Sequence, residues 1–370
     1  MCQMNFHPMY CIIPPYVLES ILQKGSSKQQ EKARYAIALA GQMRGQRQAF
    51  TDITLRPQAT QSNKNRLIYN AQNGHTLPGV LARKEGDAAT GDAQVDEAYE
   101  GAGATYDLYD QIFGRNSIDD NGMDLISTVR YMKGYDNAFW DGEQMVYGEG
   151  DEDLPEEERL FNRFTIAIDV IGHELTHGIT QYEANLVYQG QSGALNESFS
   201  DVFGSLVKQR VKNQTAANAD WIIGEGLFTP QVNGVGIRSM KQPGSAYDDP
   251  TLGSDPQPGH MDQYVETTRD NGGVHINSGI PNKAFYLAAL EIGGYAWEKA
   301  GRIWYVTLKD KLSESSNFEQ AANLTYQVAG DLYGQNSLEQ LAVAKAWASV
   351  GLPIQLAKKQ GCLSRIFGRK

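Results

Sequence analysis

His173 and His177 stand four residues apart in the run HELTH (173–177). On a helix that spacing points both imidazoles to one side, where they can grip a single metal ion. Glu174, between them, is then turned toward the metal's open position. Two histidines leave a catalytic zinc one protein ligand short. Glu197, in GALNESFSD (193–201), is the candidate for the third. The fourth position is left to water, which makes the chemistry hydrolytic. Asp201 lies one helical turn beyond Glu197 on the same face. There it can accept the outer N–H of a ligand histidine, His173 first, and fix its tautomer. A solvated helix carboxylate is the plain alternative for Asp201. Because HExxH also arises by chance, the flanks matter. FTIAIDVIGHELTHGITQYEA is apolar before the motif and helical in composition, as a buried active-site helix requires.

Two further runs extend the pattern: NAFWDGEQMVYGEGD (137–151) and DNGGVHINSG (270–279). Together with HELTH and GALNESFSD they resemble the thermolysin-like metallopeptidases, in order and spacing, over roughly residues 66–355. The leader carrying Ile13-Pro14-Pro15-Tyr16 is similar to that of the protealysin branch, whose members have a short propeptide. The resemblance implies an α+β fold of two halves. A β-rich N-terminal catalytic half and an α-helical C-terminal half would flank a zinc cleft, preceded by a short helical propeptide. It implies a zinc endopeptidase made as an inactive precursor, one Zn2+ per chain. Internal peptide bonds would be cut before a hydrophobic residue by a zinc-bound water that Glu174 activates.

Position by position, the resemblance makes His275 and Tyr188 donors to the oxyanion and Asp270 the group that orients His275. Asn137, Ala138 and Arg238 would hold the substrate backbone. Phe161, Val170 and Ile237 are either the pocket for the residue after the cut or plain core. The family's structural calcium cluster is matched only in part, by Asp169, Asp220 and Glu225. Lys208 and Ile222 stand where carboxylates are needed. An ammonium there replaces the charge of a bound cation, so the double calcium site is expected to be absent.

Composition bounds the alternatives. The chain has 370 residues, enough for two domains and a sizeable core. A formal charge of −11 argues against a nucleic-acid partner. No stretch approaches the ~20 apolar residues of a membrane helix. The cysteines are Cys2, Cys11 and Cys362. An odd count at the chain ends is no disulfide framework, and without a CxxC pair no thiolate zinc ribbon is expected. The first residues, MCQMNFHPMYCIIPPY, lack the basic and apolar regions of a secretory signal. Secretion by a non-classical route is the expectation, with a cytoplasmic location as the alternative.

Residues 1–50 read as a propeptide of one or two short helices broken at Gly25-Ser26-Ser27. Residues 51–65 are polar and read as a linker and cleavage zone. Residues 66–210 form the catalytic half: strand-like runs RLIYNAQN and LPGVLAR, a helix, strands again, then the metal helices. Residues 211–355 open with loops and continue as helices. Residues 356–370 are a short basic tail. The acidic run 149–158 reads as a solvated surface loop. The Pro14-Pro15 pair stiffens an extended segment suited to a peptide cleft. The propeptide is thus expected to act as an intramolecular inhibitor. Cys11 is either a thiolate cap on the metal or a cysteine with no role there. Protein and peptide substrates are the expected partners. The rival readings are a peptide-binding module on an inactivated peptidase, and a zinc hydrolase of another bond or an intracellular regulator that cuts few targets. Occupancy of all the catalytic positions argues against the first.

Overall fold

The computed structural model describes residues 10–46 and 64–355. The leader contributes a two-residue strand β1 (Tyr10–Cys11) and helices α1 (Pro15–Lys24) and α2 (Ser27–Gln46). Pro14 is extended (φ −64°, ψ 150°), but Pro15 begins α1. A first helical turn has no use for the missing N–H, and proline's fixed φ suits it. The stiff extended pair expected from the sequence therefore holds for Pro14 alone. Val17, Leu18 and Ile21 form the buried stripe of α1.

The sheet follows in β2 (Arg66–Asn70), β3 (Val80–Lys84), β4 (Leu125–Val129), β5 (Ala138–Trp140) and β6 (Met145–Tyr147). Its strand order is β1-β5-β6-β4-β2-β3. β1 runs antiparallel to β5, with Cys11 opposite Phe139 and Tyr10 opposite Trp140. Within the catalytic half β5 is the end strand of this sheet, and the leader supplies the strand that extends it. Exposed edge groups of this kind are a template for an added peptide.

Helix α3 (Ala93–Leu108) continues through a π-helical turn, Tyr109–Phe113, and packs over the sheet. The site helices are α4 (Ile168–Tyr182) and α5 (Gly190–Val211). A Cβ added at Gly172 of α4 would lie 3.0 Å from the Gly204 Cα of α5, so glycines permit their close crossing. The fully buried Arg115 pairs with Glu183, at the C-terminal end of α4. Short ribbons β7 (Ile222–Ile223) with β8 (Arg238–Ser239), and β9 (Asp248–Asp249) with β10 (Gly253–Ser254), occupy the loop-rich stretch. The remainder is helical: α6 (Asp270–Asn277), α7 (Gly279–Ile292), α8 (Ala300–Asp310), α9 (Phe318–Tyr333) and α10 (Leu338–Ser349). The chain is thus a β-containing catalytic half joined to a helical half. Among the described residues, no helix is long and apolar enough to cross a membrane.

One expectation fails here. In the acidic run 149–158, Glu149 and Asp151 are buried. Asp151 accepts N–H bonds from Leu160 (2.8 Å) and Phe161 (2.9 Å) and an ammonium bond from Lys32 of the leader (2.7 Å). Charge density along the sequence did not show that a cation from another segment would cover these acids. Glu152, Glu156 and Glu157 are exposed, as a solvated loop requires.

Candidate metal centre and peptide cleft

Helix α4 carries His173, Glu174 and His177, and α5 carries Glu197 and Asp201, all fully buried where the helices cross. One potential ligand atom each from His173, His177 and Glu197 lies within 4.8 Å of the others. Among the described residues no other such group of histidine, cysteine or acidic side chains occurs. The Cys11 sulfur is not in it.

The donor chemistry fits a divalent metal. His173 Nδ1 faces Asp201 Oδ1 at 2.8 Å, and His177 Nδ1 faces Asn196 Oδ1 at 2.8 Å and Ser200 Oγ at 3.0 Å. With both Nδ1 atoms committed to acceptors, both Nε2 atoms turn inward, 3.0 Å apart. Burial, and next the neighbouring His173, push the His177 imidazole well below its usual value and so toward the neutral, ligating form. Glu197 Oε2 and Glu174 Oε1 are buried with no hydrogen-bond partner. Two inward lone pairs and an orphaned carboxylate oxygen are costly unless a cation joins them. Zinc meets that need with a His2Glu set and one open position.

Asp201 is a hub. It also accepts from Arg238 Nε and Nη2, both at 2.8 Å, and from Asn282 Nδ2 at 2.8 Å. Burial would raise its pKa, but Arg238 and His173 outweigh it and hold Asp201 well below the usual carboxylate range. Glu174 behaves oppositely. Burial, then the Glu197 charge, push it well above its usual value, although Trp140 donates its backbone N–H to Oε2 at 3.1 Å. A carboxyl raised in this way can both accept and return a proton.

On the opposite wall, α6 bends through left-handed residues at Asn271, Gly272 and Gly273 before presenting His275. Asp270 Oδ1 meets His275 Nδ1 at 2.6 Å, and His275 Nε2 lies 3.1 Å from Tyr188 Oη. Burial would lower His275, yet Asp270 and Glu197 carry it up to about 9. Tyr188 Oη donates to Glu197 Oε1.

Across these groups lies the leader. Ile12 N–H donates to the Ala138 carbonyl (3.2 Å), and Ile13 N–H donates to Asn137 Oδ1 (3.0 Å). Asn137 Nδ2 returns a long bond to the Ile13 carbonyl at 3.5 Å. Arg238 Nη1 reaches the Ile12 carbonyl at 3.4 Å, and His275 Nε2 the Cys11 carbonyl at 3.2 Å. Cys11 thus reaches the polar cluster through its backbone carbonyl.

Every expected site residue thus falls in one cleft. Val170 and Ile237 are buried. Phe161 packs on Phe164 and Phe228. Lys208 sets its ammonium 2.9 Å from Asp169, 2.7 Å from Asp220 and 3.9 Å from Glu225. The sequence reading did not single out Asn196, Ser200, Asn282 or the Trp140 amide. Asn196 and Ser200 did carry a signal, being four apart on the ligand helix. Asn282 carried none, because its approach depends on how α7 packs.

The geometry is that of a two-histidine, one-carboxylate metallopeptidase with a peptide in its cleft. Residues 42–181 match the model for the thermolysin metallopeptidase catalytic domain, and residues 184–352 that for its alpha-helical domain. The chain belongs to the thermolysin metallopeptidase family and is a metalloendopeptidase. It is 48% identical to an extracellular metalloprotease of Pectobacterium carotovorum subsp. carotovorum, over 95% of this chain and 99% of that protein. It is 47% identical to Protease PrtS of Photorhabdus sp. (strain Az29), over 93% of this chain and 92% of that one. The solved precursor of protealysin from Serratia proteamaculans superimposes with a TM-score of 0.83 at 50% identity. That match covers 93% of this chain and 99% of the solved one.

Proposed function

We propose that this chain is a zinc-dependent endopeptidase, made as a latent precursor, that cuts peptide bonds before a hydrophobic residue. The observation that carries the reading is the convergence of His173, His177 and Glu197 beneath a peptide held in extended form. Zinc bound there supplies Lewis acidity that brings a water toward neutral pKa and polarises a carbonyl. Glu174 takes the proton of the attacking water and hands it to the leaving nitrogen. His275 and Tyr188 donate to the oxygen that gains charge as the carbonyl carbon becomes tetrahedral. Asp270 keeps the Nε2 face of His275 toward that oxygen. Asn137 and the Ala138 carbonyl grip the backbone beyond the cut, and Arg238 holds the next carbonyl while anchoring Asp201. Asp201 orients His173. The hydrophobic preference is supported by Ile12, which has no exposed surface in the cleft.

Residues 1–50 act as the inhibitor, and 51–65 contain the site of their removal; of these segments and the tail, residues 1–9, 47–63 and 356–370 lie outside the described residues. We further propose that the double calcium site is absent, Lys208 serving in place of a cation, and that the enzyme works outside the cell, as the name of the Pectobacterium relative suggests. The test is casein digestion after leader removal, with and without a chelator, with zinc restored, beside Glu174→Gln. Activity that survives chelation, or that the Glu174→Gln chain keeps, would refute the reading.

A further inference from the structure

We infer that the leader is itself a substrate, threaded in the productive direction, and that Cys11–Ile12 is the bond the precursor cuts in its own chain. This rests on the function proposed above and adds a specific self-processing site to it.

The inference comes from register. Of the leader's carbonyls, that of Cys11 meets His275 Nε2 (3.2 Å), the nitrogen 3.6 Å from Glu197 Oε1 and 3.1 Å from Tyr188 Oη. The next amide, Ile12 N–H, is held by the Ala138 carbonyl on β5. The next carbonyl, Ile12, takes Arg238, and the following residue, Ile13, is gripped by both ends of the Asn137 amide. The carbonyl side of one peptide bond therefore faces the oxyanion donors, while its nitrogen side is tied to the sheet edge. A leader bound in reverse, or displaced by one residue, could not make these contacts, since one step along a strand turns every group to the other side. The side chain after the bond is Ile12, wholly buried, and it is the kind of residue the cleft is proposed to select.

Hydrolysis adds one water across the amide. Its oxygen goes to the Cys11 carbonyl carbon, giving a carboxylate, and its proton goes to the Ile12 nitrogen, the new amino terminus. No other reactant is needed. The larger product stays in place, because the helices beyond it are anchored separately. Ser20 donates to the Thr251 carbonyl (2.8 Å), Gln29 to the Glu158 carbonyl (2.6 Å), and Lys32 pairs with Asp136, Asp151 and Asp153. The cut trims the leader without releasing it, and Ile12 remains in the cleft as bound product.

The full chain is loaded with zinc and followed by intact mass and N-terminal sequencing, at two protein concentrations tenfold apart. The expected result is loss of residues 1–11, a new terminus at Ile12, and one first-order rate at both concentrations. Glu174→Gln should slow the cut at least ~100-fold, and Ile12→Asp at least ~10-fold. Amide exchange on the Glu174→Gln chain gives a readout free of turnover: Ile12 and Ile13 N–H should be protected, and Ile12→Ala keeps this measurable should the aspartate disturb folding. Exchange at the solvent rate at these two amides overturns the threading. A chain left intact, or cut elsewhere in the leader, overturns the site. The same preparation is then assayed on an added peptide after its leader is removed by limited proteolysis. Peptide hydrolysis with Cys11–Ile12 uncut rejects this inference alone, whereas failure on both rejects the proposed function as well.

Discussion

His173 presents Nδ1 to Asp201 at 2.8 Å, and Asp201 is itself held by two Arg238 nitrogens, Nε and Nη2, at the same distance. The pair ties a candidate ligand to a residue that also touches the Ile12 carbonyl. Metal grip and substrate grip thus share one buried carboxylate. Asp201→Asn keeps the shape but removes the charge that favours the Nδ1–H tautomer. Zinc affinity, measured by chelator competition, is expected to fall roughly 10–100-fold. Unchanged affinity would mean that Asp201 serves Arg238 only.

Glu174→Gln separates binding from turnover. Glu174 is beside the ligand cluster but not part of it, so the variant should keep stoichiometric zinc. With no group left to move the proton, kcat should drop by about 10²–10⁴ with KM little changed. A comparable rise in KM would show that Glu174 acts mainly in binding.

Lys208 gives the calcium expectation a measurable form. Its ammonium is buried among Asp169, Asp220 and Glu225. Lys208→Ala leaves these acids uncompensated and should cost about 3–5 kcal/mol, read as a drop in denaturant midpoint. Added calcium should leave the wild-type midpoint unchanged. The pH dependence follows from the two shifts. Asp220 is depressed: burial opposes this, and Lys208 outweighs it. Its contribution is present above its unfolded value of 3.8 and lost as pH falls through the lower folded value. Lys208 is raised, burial again opposing and Asp169 leading the causes that win. Its contribution is present below 10.5 and lost only as pH rises through the higher folded value. The gap between wild type and Lys208→Ala should therefore be widest between about pH 5 and 9 and narrow toward acid.

The metal centre was legible in the sequence because helical geometry fixes it locally. His173 and His177, and likewise Glu197 and Asp201, each span one turn, so their spacing already states which face they share. The helical C-terminal half was legible for the same reason, since apolar periodicity is a local property. What could not be read depends on packing between distant segments. Asp151 looked like a solvated acid because nothing in its neighbourhood names Lys32, 119 residues away. Pro15 looked extended because a proline pair does not say which member opens a helix. The register of Cys11 and Ile12 against Ala138 exists only once β1 lies along β5.

Lys32 offers a direct handle on latency. Its ammonium lies 2.7 Å from Asp151, 2.8 Å from Asp153, 3.2 Å from Asp136 and 3.1 Å from the Gly150 carbonyl. Its charge also acts on Glu149, which in turn faces Asp153, Arg130 and Glu152. Burial would lower the Lys32 pKa, yet Asp136 and Asp151 raise it above its ordinary value. A raised lysine contributes fully below its unfolded value of 10.5 and is lost only as pH rises through the folded one. Alkali near that range, and not mild acid, is where the lysine's own share disappears. Lys32→Met keeps the stem and deletes the charge, leaving buried Asp136 and Asp151 facing each other. The docked leader should weaken by about 3 kcal/mol, close to a hundredfold in its equilibrium. Limited proteolysis within residues 12–46 and the residual peptidase activity of the precursor report this directly. Both should rise together at pH 7, and a precursor as resistant and as silent as wild type would show that the strand and the α1 contacts suffice without the ion pair.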